Sequence, residues 1–155
     1  MPTKPAPRPS KPSAYPVRDA ADALFRTARE SCHQHERLTR ILAHGAEETE
    51  FRAVCEVAVL CDRFLAEQMA LYEASAAAGR GREPEDWWHA ANALWMASRE
   101  YGHRQAGSDS VGARFKRHSA AQLGEITMEY ELELSARMAL KQAITAYAAL
   151  RPDAN

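Results

Sequence analysis

At 155 residues the chain has room for one domain with a sizeable hydrophobic core and is short for two. Apolar residues at 46% and charged residues at 26% exclude a disordered chain, and a net charge of −1 excludes a global field that would recruit nucleic acid or an anionic membrane. Three cysteines, Cys32, Cys55 and Cys61, cannot build a full disulfide framework, which favours a reducing cytoplasm.

Residues 1–16 hold six of the eight prolines together with Lys4, Arg8 and Lys11. Proline lacks an amide donor and turns its predecessor away from helix, so this segment reads as an extended, disordered arm. It has no apolar core of the kind a secretory signal needs, and no run in the chain approaches the roughly 20 apolar residues of a membrane span. We therefore expect a cytoplasmic protein with no membrane partner.

Residues 17–150 form the expected single domain, with 151–155 as a tail. A first helix is predicted over about 17–43, where Val17, Ala21, Leu24, Ala28, Cys32, His35, Leu38 and Leu42 recur at spacings of three and four and Gly45 supplies a stop. A second runs over about 47–78, with Glu47, Glu48 and Glu50 suited to its positive end. Phe51, Val54, Val57, Ala58, Cys61, Phe64, Leu65, Met69, Leu71 and Tyr72 cover most of its circumference, so it is expected to be the most buried helix. A third begins at Pro84, a favoured first-turn residue, and is expected to end near Gln105, before Gly107. Ser108, Asp109 and Ser110 then offer caps for a C-terminal helix reaching about Leu150, either continuous or broken near Gly124.

Four amphipathic helices with short links predict an all-α, up-down-up-down antiparallel four-helix bundle. At 1.5 Å per residue a C-terminal helix of about forty residues spans roughly 60 Å and overhangs its neighbours. Its apolar end then needs a cover, which predicts a homodimer. Expected interface residues are Leu140, Ile144 and Tyr147, with Glu129, Glu133 and Arg137 setting register along the same helix. Trp87 and Trp88 join them, because adjacent residues point about 100° apart and cannot share one core seam.

Two patterns have the letters of a metal site. Glu30 with His33 and Glu100 with His103 have the Glu-x-x-His spacing of a di-metal carboxylate bundle. Both pairs fall off the apolar faces, so the spacing reads as coincidence. Cys32, His35 and Cys61 face inward and form a soft donor set that zinc or copper favours. Against this, buried cysteine usually serves as a small hydrophobe. No nucleophile motif or phosphate loop is present. The leading expectation is a non-catalytic bundle acting through self-association and protein–protein contacts, with no cofactor. A zinc- or copper-binding bundle is the alternative. A nucleic-acid partner held by the basic arm with Arg80, Arg82 and Arg151 at one pole, or by Arg99, Arg104, Arg114, Lys116, Arg117 and His118 at the other, ranks below both.

Overall fold

The computed structural model describes residues 16–78, 83–114 and 120–151 and contains four helices: α1 (Pro16–His44), α2 (Glu48–Ala77), α3 (Glu85–Arg114) and α4 (Ala120–Ala149). The Pro-rich arm before Pro16, the loop carrying Arg80 and Arg82, and residues 152–155 lie outside the described residues. Consecutive helices pack as hairpins, α1 along α2 and α3 along α4. The hairpins meet where α1 touches α4 and α2 touches α3, which gives the up-down-up-down order around the bundle.

Side-chain bonds set the register between the helices. Tyr147 near the end of α4 donates to Asp22 near the start of α1 at 2.8 Å. Tyr72 near the end of α2 donates to Asn92 near the start of α3 at 2.7 Å. At the same pole Phe25, Trp87 and Tyr147 pack ring against ring, with centroids 5.5 Å and 6.2 Å from Tyr147. The Arg18 and Arg151 guanidiniums lie over the Trp87 and Phe25 rings at 5.9 Å and 4.8 Å. The core continues through Leu24, Ala28, Leu65, Leu94 and Leu140, and fully burying a leucine contributes roughly 1.5–3 kcal/mol.

Local chemistry explains three of the helix ends. Gly45 takes φ +78° and its N–H meets the Ile41 carbonyl at 2.8 Å, closing α1 in the left-handed conformation that glycine tolerates. Glu48 and Glu50 occupy the first turn of α2, and Glu85 and Asp86 that of α3.

The C-terminal half corrects the sequence expectation. α3 does not stop before Gly107 but continues through Gly107 and Gly112 to Arg114, because an isolated glycine weakens a helix by about 1 kcal/mol without forbidding it. α4 is continuous through Gly124 and has 30 residues, the same as α3. Among the described residues α4 thus matches α3 in length, and the part of the expected C-terminal helix before Arg114 belongs to α3.

Two buried faces are also reassigned. α2 is not buried on most of its circumference: Val54, Ala58, Cys61, Leu65 and Tyr72 face inward, while Phe51, Val57, Phe64 and Leu71 are exposed. On α4 the inner face is Glu133, Ala136, Arg137, Leu140 and Tyr147, and Tyr130, Leu134 and Met138 face outward. Both helices carry apolar residues in several directions, so periodicity alone could not orient them.

Candidate functional site

Helix α2 carries two features on opposite sides of its core-facing stripe. The first is a polar cluster where α1, α2 and α3 meet. Ser31 and His35 are four apart on α1 and so share one face. Ser31 Oγ donates to Asp62 Oδ1 at 2.9 Å, and His35 Nε2–H, the tautomer that a facing carboxylate selects, is 3.0 Å from both Asp62 oxygens. The His35 ring meets Tyr101 edge-on, with centroids 5.8 Å apart. Burial pushes the Tyr101 phenol far above its ordinary range, and its hydroxyl lies near Ser31 and Asp62.

Among the described residues, Ser31 and His35 bond to Asp62 and not to each other. A serine nucleophile needs its hydroxyl on the imidazole, so this arrangement activates no nucleophile. It holds a carboxylate in place. The Asp62 side chain keeps 31% of its surface exposed, and it opens into a cleft of about 440 Å³ between α2 and α3. Val59, Leu65, Ala66 and Met69 form one wall, while Arg99, Gly102, His103 and Gln105 form the other. Gly102 leaves the cleft open, since a Cβ there would meet nothing within 4 Å. Arg99 is steadied by the Trp95 ring, 5.6 Å from its guanidinium. The Gln105 side-chain carbonyl is buried without a hydrogen-bond partner, a state that normally costs free energy.

The second feature is an outer apolar row. Val57, Leu60, Phe64 and Leu71 recur at spacings of three, four and seven and are 41%, 46%, 51% and 55% exposed. One flank of the row carries Arg52, Glu56, Arg63 and Glu67, all exposed. Arg52 also bonds Glu48 one turn earlier at 2.6 Å. The opposite flank holds Glu50, Gln68 and Ser75 and carries no cation.

The residues expected from sequence fall into different places. Cys32, His35 and Cys61 are all buried. His35 is bonded to Asp62, and burial drives the Cys32 thiol up to about 12 and the Cys61 thiol upward. Among the described residues no three of His, Cys, Asp or Glu are grouped to hold a metal ion. Glu30, His33, Glu100 and His103 are exposed; Glu30 accepts from Gln34 at 2.6 Å and Glu100 from Arg104 at 2.7 Å.

The expected interface residues are largely covered by the chain itself. Leu140 and Tyr147 are fully buried, Trp87 is buried, and Trp88 is half-buried with its ring edge-on to Trp87 at 5.2 Å. Ile144 is half-buried against the core, Glu129 is half-buried, and Glu133 and Arg137 are buried. Arg137 acts electrostatically on Glu36 across the α1–α4 seam. Sequence reasoning missed Ser31, Asp62, Arg99 and Gly102. Asp62 left one signal: it sits directly beside the buried Cys61.

Set against protein families, curated proteins and solved structures, the chain matches none. Among the described residues no helix is long and apolar enough to cross a membrane.

Proposed function

We propose that this bundle works by self-association, through an antiparallel contact between the outer faces of α2 in two copies. The observation that carries the reading is the charge order beside the apolar row. Arg52, Glu56, Arg63 and Glu67 alternate in sign along one flank. The midpoint of Arg52 and Glu67 coincides with that of Glu56 and Arg63, between Val59 and Leu60. A two-fold axis running between the two copies, perpendicular to α2 at the level of that point, sets Arg52 of one copy near Glu67 of the other, and Glu56 near Arg63.

Antiparallel helices bring like flanks together, so every charge of this row meets its opposite. A parallel pairing brings this flank against Glu50, Gln68 and Ser75 and leaves the row without counterparts. Between the charges the half-exposed Val57, Leu60 and Phe64 supply the apolar centre that such an interface needs. With a net charge of −1 per chain, two copies repel each other little.

Sedimentation equilibrium of the full chain at micromolar concentration tests the reading. The expected mass is twice the 17.2 kDa of one chain. Phe64→Glu should return the monomer. Glu56→Arg should weaken association, and the double exchange Glu56→Arg with Arg63→Glu should restore it, which loss of folding could not mimic. A monomer at all accessible concentrations overturns the proposal, and so does a dimer indifferent to Phe64→Glu. If association appears only after residues 1–15 are deleted, the arm and not a second copy covers the row.

A further inference from the structure

We infer that the α2–α3 cleft binds a small amphoteric organic molecule of amino-acid type, its ammonium group on Asp62, its carboxylate on Arg99 and its apolar body between the helices. The cleft lies on the side of α2 away from its outer apolar row.

Asp62 is an anion held in a fixed orientation by Ser31 and His35, with part of its surface left free toward the cleft. A fixed acceptor loses little entropy when a donor arrives, and it selects a cation. The cleft is not simply anionic, however. Arg99 and His103 line the facing helix, and a molecule bearing only an ammonium group would meet Arg99 without compensation. Arg99 is three residues from Gly102 on α3, hence one helical turn away along the cleft. Its guanidinium is already steadied by Trp95 and can form a fork with a carboxylate.

The remaining wall chemistry fits the same class. Val59, Leu65, Ala66 and Met69 give an apolar floor for an aliphatic or aromatic body. Gly102 lies where a side chain would obstruct the space. A glycine inside a helix costs roughly 0.5–1 kcal/mol relative to alanine, so it marks a position where volume is withheld.

Three molecules with one phenyl body separate the charges: phenylalanine, phenethylamine and 3-phenylpropionate, titrated calorimetrically into the full chain at neutral pH. Phenylalanine should bind saturably, and each singly charged analogue should bind roughly tenfold more weakly or worse, the scale of a lost charge-assisted hydrogen bond. Asp62→Asn should weaken phenylalanine and phenethylamine while sparing phenylpropionate, and Arg99→Gln should do the reverse. Gly102→Leu fills the cleft from an open position and should abolish all three without lowering the melting temperature. The inference fails if none of the three binds, if Gly102→Leu leaves affinity unchanged, or if the two charge variants do not discriminate between the singly charged probes.

Discussion

Two glycines show how one residue type takes opposite meanings at single positions. Gly45 holds φ +78° at the end of α1, where an L side chain meets its own backbone at a cost of about 1–2 kcal/mol. Gly102 is an ordinary helical residue whose Cβ would enter open space. Gly45→Ala is therefore expected to destabilise by about 1 kcal/mol, and Gly102→Ala to stabilise by roughly 0.5–1 kcal/mol. Urea melts of the two variants check this, and equal shifts of the same sign would refute it. The first role was legible in the sequence, since Gly45 follows a clear apolar period. The second was not, because nothing local distinguishes Gly102 from a glycine that merely weakens a helix.

Between elements, the α1–α4 seam contains a bond that links folding to pH. Lys141 donates to Glu36 across the seam. That hydrogen bond holds the Glu36 carboxyl below its ordinary 4.5, with desolvation opposing and the Lys141, Arg137 and Arg40 charges assisting. A lowered folded-state value contributes stability that is present above the ordinary value and is lost as pH falls through the folded one. Lys141→Ala is thus expected to lower stability at pH 7 and to have a smaller effect at pH 3. Both side chains are partly exposed, so solvent screening limits the effect to about 1 kcal/mol or less. Denaturant midpoints of the wild type and the variant at the two pH values measure it; an equal effect at both would assign the loss to packing alone.

Helix α4 shows where element-level reading stops. Its residues were expected to face a partner, yet Leu140 and Tyr147 are covered by the chain's own α1 and α3 neighbours. Two apolar rows on one helix leave its rotation open, and contact with the rest of the bundle decides which row goes inside. The same ambiguity on α2 ran the other way. Its outer row looked like core and is exposed.

For the whole molecule, the proposed self-association through α2 would make stability depend on concentration. A species that binds only the folded form raises the melting temperature by mass action, so the wild-type midpoint is expected to climb as concentration is raised from low to high micromolar. Phe64→Glu should make the midpoint independent of concentration. Scanning calorimetry over that range decides it, and an unchanging wild-type midpoint counts against the dimer. Ligand binding in the cleft leaves a different trace, since phenylalanine should raise the midpoint of wild type and of Phe64→Glu alike. The two proposals therefore stand or fall separately.

The amino-acid order alone determined that the chain is all-helical, that four helices pack antiparallel, and that α1 presents Val17, Ala21, Leu24, Ala28, Cys32 and His35 to the core. Those features follow from helix propensity, proline and glycine positions and a single dominant apolar stripe, all of which act locally. Only the tertiary structure decided that α3 runs on to Arg114, which of two apolar rows α2 and α4 bury, and that Ser31 and His35 meet Asp62 from another helix. Each of these depends on contacts between residues distant in sequence, and such contacts choose among arrangements that local periodicity leaves nearly equal in free energy.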